Sequence, residues 1–148
     1  MKNKKLCPIT VGNYFFKKFG EKDILKLNKL VYYSYCWYRV LVKKSLTFEK
    51  PIKTKYGIFF NSLLNSVFNG DEKQRYISEP IPYKNFTCIS NDISKLLDKI
   101  WTMYGDKDSV YLSALCNKDA KNLIVGDYIP NKVIHKNYIL KENSAKRK

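Results

Sequence analysis

The chain has 148 residues, of which 45% are hydrophobic and 15% aromatic, and its formal net charge is +15. This apolar content excludes an intrinsically disordered protein, and the length suits one domain with a core of its own. The first residues lack the apolar run of a secretory signal, so we expect a soluble, cytoplasmic protein.

The positive charge is distributed unevenly along the chain. Residues 1–70 carry a net charge of +11, residues 71–127 carry −1 and residues 128–148 carry +5. Lysine outnumbers arginine 25 to 3, as it does in proteins from AT-rich genomes, but that bias does not account for the shortage of Asp and Glu. The charge therefore favours an acidic partner, either a protein or a nucleic acid.

The first predicted elements are helical. Residues 1–9 are expected to form a basic N-terminal extension, and Thr10 is a suitable N-cap for a helix over residues 10–19. Residues 23–44 are the predicted central helix, with Asp23 as its N-cap. Its apolar residues lie on nearly all sides, the pattern of a helix packed against several neighbours. Its uncharged stretch is shorter than the roughly 20 residues that cross a bilayer, so no membrane contact is expected.

The segment after the central helix is predicted to be partly extended. Residues 48–57 alternate in part and contain Pro51, which favours a short edge strand with Lys53 and Lys55 on one face. Apolar spacing predicts a helix over residues 58–68. Residues 76–83 contain two prolines and are predicted to be an extended partner of the first strand, and residues 86–89 are a candidate third strand.

The C-terminal half is again helical, with predicted helices at residues 92–104, 110–116 and 131–140. Residues 119–128 are expected to be a loop with a possible short helix. The sequence thus predicts a mainly α (α+β) fold. It is a compact domain of five to seven helices around one central apolar helix, with a small two- or three-stranded antiparallel sheet. One domain covers residues 10–140, and residues 141–148 form a basic C-terminal tail.

Motifs for catalysis and metal binding are missing from the sequence. The four cysteines form no C-x-x-C pair and His135 is the sole histidine, so no metal site and no cofactor are expected. There is no nucleophile elbow, phosphate-binding loop or dinucleotide fingerprint. The close carboxylates Asp106 and Asp108 are predicted to be turn and cap residues. We therefore predict a protein that is not an enzyme.

The aromatic residues of the central helix have two interpretations. They form either a platform on which nucleic-acid bases stack, or a core that uses tyrosine at its edges. We favour the core. A helix-turn-helix motif is also disfavoured, because the helix that follows the turn at residues 19–23 is too apolar to lie in a groove of nucleic acid. The basic segments at both ends of the chain can still contact phosphate without sequence preference.

Several pieces of the sequence, in order, resemble one known family. Residues 25–38 read LKLNKLVYYSYCWY, similar to the L-K-L-Q-K-L-L-Y-F-A-Q-G-W-Y helix of the Panacea domain, the SocA-like antitoxin family. Six further pieces are VGNYF at 11–15, PIKTKYG at 51–57, NSLL at 61–64, LLDKIWTMYG at 96–105, LSALCN at 112–117 and residues 129–138, which fit the closing helix of the family. The resemblance spans residues 10–140, and its signature core comprises Leu27, Leu30, Trp37, Tyr38 and Gly57.

The resemblance implies a compact helical domain that binds a toxic protein encoded beside it. Some members act by direct contact, one branch acts as an adaptor that presents the toxin to a protease, and many are carried by prophages or mobile elements. The family's acidic and tryptophan strand positions are Lys53 and Lys55 here, so the fold carries over more securely than the binding surface.

We therefore expect an antitoxin-like protein-binding module that neutralises a cognate toxin. The alternative is a phage- or mobile-element-borne inhibitor that binds nucleic acid or a nucleic-acid-loaded defence complex. Aromatic and arginine side chains beside a basic strand are favoured anchors at interfaces. The predicted partner-binding residues are Tyr33, Arg39, Lys53, Lys55 and Tyr56.

Overall fold

The computed structural model describes residues 5–55, 57–65, 75–83 and 88–146. These ranges contain six α-helices, a 3₁₀ helix at Asn117–Ala120 and one two-stranded antiparallel sheet, which confirms the mainly α (α+β) fold. The elements are α1 (Pro8–Phe19), α2 (Ile24–Val42), β1 (Ile52–Thr54), β2 (Gly57–Phe59), α3 (Asn61–Asn65), α4 (Asn91–Tyr104), α5 (Ser109–Cys116) and α6 (Asn131–Lys146).

Helix α2 is the centre of the fold, as the sequence predicts. The other five helices and strand β2 pack around it, and Leu27 and Leu30 are fully buried. Asp23 caps its start, because the Oδ1 atom accepts a hydrogen bond from the Leu25 amide at 3.0 Å. Trp37 is buried in the same core and donates from Nε1 to the Tyr104 hydroxyl at 3.0 Å.

The N-terminal boundary differs from the prediction. Leu6 is buried, and its backbone pairs with the segment after α2 through hydrogen bonds to Leu46 and from Phe48. Helix α1 starts at Pro8, whose missing amide hydrogen costs nothing in the first helical turn. Residues 6–9 are therefore buried in the folded core rather than forming an extension, and Thr10 is buried within α1 instead of capping it.

The helix predicted at residues 58–68 is wrong at its start. Residues Gly57–Phe59 form β2 and pair with β1, with Lys53 opposite Ile58. A short apolar run suits a buried strand as well as a helix, and periodicity alone does not distinguish the two. Helix α3 begins only at Asn61, and residues 66–68 lie outside the described part of the chain.

The extended segments pair differently from the prediction. Instead of joining β1, residues 76–83 cross α1 and the start of α2. Tyr76 bridges to Asp23, and the Asn13 side chain bonds both the amide and the carbonyl of Ile81 at 2.8 Å. On the side away from β2, strand β1 pairs with residues 126–129. The Lys53 amide of β1 donates to the carbonyl oxygen of Asp127 in that stretch. Residues 88–89 are not strand, and 86–87 lie outside the described residues.

The C-terminal helices match their predicted positions to within a few residues. Ser90 caps α4 and Asp108 caps α5, each accepting a hydrogen bond from an amide in the first turn. Helix α6 begins after Pro130 and continues to Lys146, so most of the predicted basic tail is helical. Residues 141–146 contain Lys, Glu and Ala, which are strong helix formers without apolar periodicity.

Candidate partner-binding surface

Lys53, a predicted contact residue, has its amine bound within the protein. Its Nζ atom donates to the carbonyl oxygen of Ala120 at 3.0 Å and also to that of Leu123. The Lys53 amide and carbonyl bond the neighbouring stretch as well, at Asp127 and Gly126. Lys53 therefore joins β1 to residues 120–127 and positions that segment, instead of offering its charge to a partner.

The segment that Lys53 holds ends in an exposed apolar turn, residues 124–128. Ile124 and Val125 are 73% and 62% exposed. Asp127 closes the turn, because its carboxylate accepts from the Ile124 amide at 3.1 Å and its own amide donates back to the Ile124 carbonyl at 3.0 Å. Gly126 has φ +101°, a conformation that favours glycine. The aliphatic tip is thus displayed on an ordered backbone.

Tyr128 extends this apolar turn towards the start of β1. Its backbone bridges to Ile52, and its ring is exposed beside Lys50, whose amine lies 6.0 Å from the ring centroid. Tyrosine supplies a large contact area at low entropy cost and is enriched among interface hot spots. Tyr128 therefore gives the turn an aromatic anchor beside its two aliphatic side chains.

The charge around the apolar turn is positive. Lys118 and Lys121 are exposed on the segment that leads into the turn, and Lys50 and Lys55 are exposed on the hairpin side. The carboxylate of Asp127 is occupied by the Ile124 amide. An apolar centre surrounded by lysines is complementary to an apolar patch with an acidic rim.

The base of the apolar turn is anchored in the core by Asp119. Its Oδ2 atom accepts from the hydroxyls of Tyr32 at 2.6 Å and Tyr138 at 3.1 Å, and its Oδ1 atom accepts from Asn137 at 2.7 Å. Burial raises the pKa values of the Tyr32 and Tyr138 hydroxyls well above their usual range, so both stay protonated as donors. Asp119 thereby ties the 3₁₀ helix to α2 and α6.

Tyr33 is a core residue, so its prediction as a contact residue is wrong. It is fully buried, its ring stacks on Tyr104 with centroids 4.1 Å apart, and its hydroxyl donates to the Leu112 carbonyl at 2.8 Å. Desolvation raises the pKa of this hydroxyl far above its usual value. Helix α2 is buried on almost every side, and the face that carries Tyr33 packs against α5 and α4.

The other predicted contact residues are dispersed. Arg39 is half-buried in the last turns of α2, and its Nε atom is buried without a hydrogen bond. Lys55 is exposed in the turn between β1 and β2. Tyr56 lies outside the described residues. Of the five predicted residues, the structure therefore brings Lys53 and Lys55 to one hairpin and leaves Tyr33 and Arg39 on the central helix.

Two polar residues of α2 were missed by the sequence analysis. Asn28 and Lys29 are both fully buried, and they hold the hairpin against the central helix. Asn28 Oδ1 accepts from the Phe60 amide at 3.0 Å, and Lys29 Nζ donates to the Ile58 carbonyl at 2.6 Å. Burial lowers the pKa of Lys29. The sequence did carry a signal for their burial, because both residues lie between Leu27 and Leu30 on a helix that is apolar on nearly every side.

Two further findings concern metals and membranes. Among the residues that the structure describes, no three His, Cys, Asp or Glu side chains are grouped so that they could hold a metal ion. Within the same ranges, no helix is both long enough and apolar enough to span a bilayer. The cytoplasmic location and the lack of enzymatic activity stay predictions.

Comparison of the chain with protein-family models, with curated proteins and with solved structures gives no match. The resemblance to the Panacea domain therefore stays a hypothesis that rests on the sequence pieces alone.

Proposed function

We propose that this chain is a non-enzymatic, antitoxin-like protein-binding module that neutralises a toxic partner by covering its working surface. The observation that carries the proposal is the apolar turn, whose exposed Ile124 and Val125 are held in place by Lys53. Apolar side chains on a fixed backbone lose little conformational entropy on binding, which favours affinity. The resemblance to an antitoxin family supports the same class of function.

The partner surface is proposed to be acidic around an apolar pocket. Lys118 and Lys121 lie on the segment that leads into the turn, Lys50 and Lys55 lie on either side of the strand β1 that pairs with it, and the whole chain carries +15. Rim charges of this kind raise the association rate and exclude partners of the same sign. The proposed interface thus combines an apolar centre, formed by the turn and Tyr128, with basic edges.

The test is co-expression with the product of the adjacent gene, which the resemblance makes the candidate toxin. That product should stop growth when expressed alone, and the native chain should restore growth and co-purify with it. The double variant Ile124→Asp/Val125→Asp should weaken binding at least tenfold and fail to restore growth. Val110→Asp is the matched control, because Val110 is an equally exposed aliphatic residue on α5.

Two results would contradict the proposal. The first is an adjacent product that neither arrests growth nor binds this chain. The second is a turn variant that neutralises the partner as well as the native chain does. The partner's lifetime distinguishes the two modes of neutralisation, because covering a working surface leaves the partner intact, whereas an adaptor for a protease shortens its half-life.

The second candidate function is an inhibitor that binds nucleic acid or a nucleic-acid-loaded complex, favoured by the lysines around the turn and by the +11 charge of residues 1–70. It predicts that nucleic acid remains bound through purification and that affinity falls steeply as salt rises, because binding releases counterions. A binding assay with duplex and single-stranded nucleic acid at two salt concentrations tests it. Absent or salt-insensitive binding removes this candidate.

A further inference from the structure

A second exposed apolar surface lies at the C-terminal end of the central helix. The contacts of this helix with the hairpin lie nearer its N-terminal end. Val40 of α2 is buried, but the next two residues, Leu41 and Val42, are 51% and 44% exposed. They line a groove of about 290 Å³ together with Leu96 of α4. We call this surface the α2–α4 groove.

The rim of the α2–α4 groove is basic. Lys95 and Lys99 are exposed four residues apart on the same face of α4 and line the groove. Lys43 and Lys44 follow directly where α2 ends and are exposed as well. Asp92 is the one acidic residue among the residues that line this groove. An occupant that places carboxylates along these edges is favoured by charge.

The same charge argues against an occupant from the protein itself. A second copy of this chain, at +15, would bring lysines against lysines, which opposes association. Residues 141–148 carry four basic side chains and one acidic one, so the C-terminal segment is repelled in the same way. An acidic chain from a different protein is the occupant that satisfies both the apolar floor and the basic rim.

We propose that the α2–α4 groove docks an acidic amphipathic helix of a partner protein. A groove between two helices suits a third helix that inserts apolar side chains at positions i, i+3 or i+4 and i+7. Lys29, which contacts the hairpin, and Leu41 are about 18 Å apart along α2 at the usual rise per residue. This second surface therefore does not rest on the function proposed for the apolar turn.

The experiment uses the full chain and a fluorescein-labelled peptide of about 16 residues, with leucine at i, i+3, i+4 and i+7 and glutamate at most other positions. Binding is measured by fluorescence anisotropy at an ionic strength of about 0.15 M. The matched peptide carries lysine in place of glutamate. The protein variants are Leu41→Asp and Lys95→Glu/Lys99→Glu, with Val110→Asp on α5, outside both proposed surfaces, as control. All these positions are exposed, so the fold should be kept, which circular dichroism checks.

The glutamate peptide should bind saturably, and both groove variants should weaken binding at least tenfold. Val110→Asp should bind like the native chain, and the lysine peptide should not bind. The proposal is overturned if no saturable binding occurs, if the two peptides bind alike, or if Leu41→Asp has no effect. It is also overturned if the glutamate peptide does not bind while Leu41→Asp abolishes self-association of the chain or its attachment to phosphatidylserine vesicles. Equal loss of binding in Val110→Asp and Leu41→Asp would overturn it as well, because the effect would not be specific to the groove.

Discussion

The hydroxyl of Tyr32, on the central helix, donates a hydrogen bond of 2.6 Å to the buried carboxylate of Asp119. The same carboxylate accepts from Tyr138 and Asn137 of α6. Asp119 lies one residue before Ala120, whose carbonyl binds the Lys53 amine. The segment that displays the apolar turn is thus anchored to two helices and one strand, and its order depends on buried polar contacts.

Asp119→Ala should destabilise the protein by about 3 kcal/mol, because it removes the acceptor shared by two buried hydroxyls and one half-buried amide. Urea unfolding followed by circular dichroism measures the change. Asp106→Ala is the control, since Asp106 is exposed and its replacement should stay within about 0.5 kcal/mol. Equal unfolding midpoints for the two variants would contradict the role assigned to Asp119.

Lys53→Met should loosen the apolar turn while leaving the core intact. Methionine keeps the length of the side chain but removes the amine that binds the carbonyls of Ala120 and Leu123. Hydrogen bonds from a charged donor contribute about 1.5–3 kcal/mol each when buried. The partial exposure of Lys53 reduces the expected loss to about 1–2 kcal/mol. The turn should also display its aliphatic side chains less uniformly, which weakens partner binding.

Hydrogen exchange tests this expectation at the amides of Gly126 and Asp127, which donate to Lys53 and Ile124 in the native chain. Both should exchange about tenfold faster in Lys53→Met, which corresponds to about 1.4 kcal/mol. Lys99→Met, at an exposed position on α4, should leave both rates unchanged. Unaltered exchange in Lys53→Met would mean that the amine does not hold the turn.

Gly57→Ala should cost more stability than the same change at Gly20. Both glycines have positive φ values, +117° and +76°, so alanine strains the backbone at either position. A Cβ atom at Gly57 would also lie 3.2 Å from Asn117 Oδ1 and 3.4 Å from Lys29 Nζ, whereas the space beside Gly20 is open. Thermal unfolding of both variants measures the difference. A Gly57→Ala melting temperature equal to or above that of Gly20→Ala would contradict the close packing of the hairpin.

The central helix was predictable because its signals are local. An apolar pattern on nearly every face and Asp23 at the cap position define α2 without knowledge of its neighbours. Gly57 and the run that follows it were harder, because residues 58–60 are apolar in succession and have no period. Their pairing with β1 requires the chain to reverse direction after Thr54, and the local sequence does not determine whether it does so.

The sequence indicated only the hairpin residues beside the candidate surface and not the turn that forms its centre. Alternation placed Lys53 and Lys55 on one face of an extended segment, but it did not reveal that the Lys53 amine turns back to the carbonyls of a distant segment. No periodic pattern predicted the exposure of Ile124 and Val125, because two apolar residues in a turn resemble a short buried stretch. Their exposure depends on the hydrogen bonds of Asp119 and Lys53, which join residues that are far apart in the chain.

Lys29 is the clearest case of a residue whose role depends on its tertiary surroundings. A lysine on a helix normally reaches solvent, yet this one is fully buried, with its amine 2.6 Å from the Ile58 carbonyl and 3.9 Å from the Phe59 ring centroid. Desolvation lowers its pKa, although the nearby Cys116 thiol opposes that shift. The folded protein therefore binds the Lys29 proton more weakly than the unfolded chain does.

Lys29→Met should change how stability depends on pH. In the native chain, the free-energy cost of burying the ammonium group applies in full at pH values below the lowered pKa of the folded state. This cost disappears as the pH rises towards the pKa of the unfolded state, about 10.4, so the free energy of unfolding increases over that pH range. The variant lacks this gain, and the difference in unfolding free energy, native minus variant, should increase as pH rises from the lowered folded-state pKa towards the unfolded-state value. Urea unfolding at several pH values measures it, with Lys99→Met as the control; a constant difference would contradict the burial of a titrating amine.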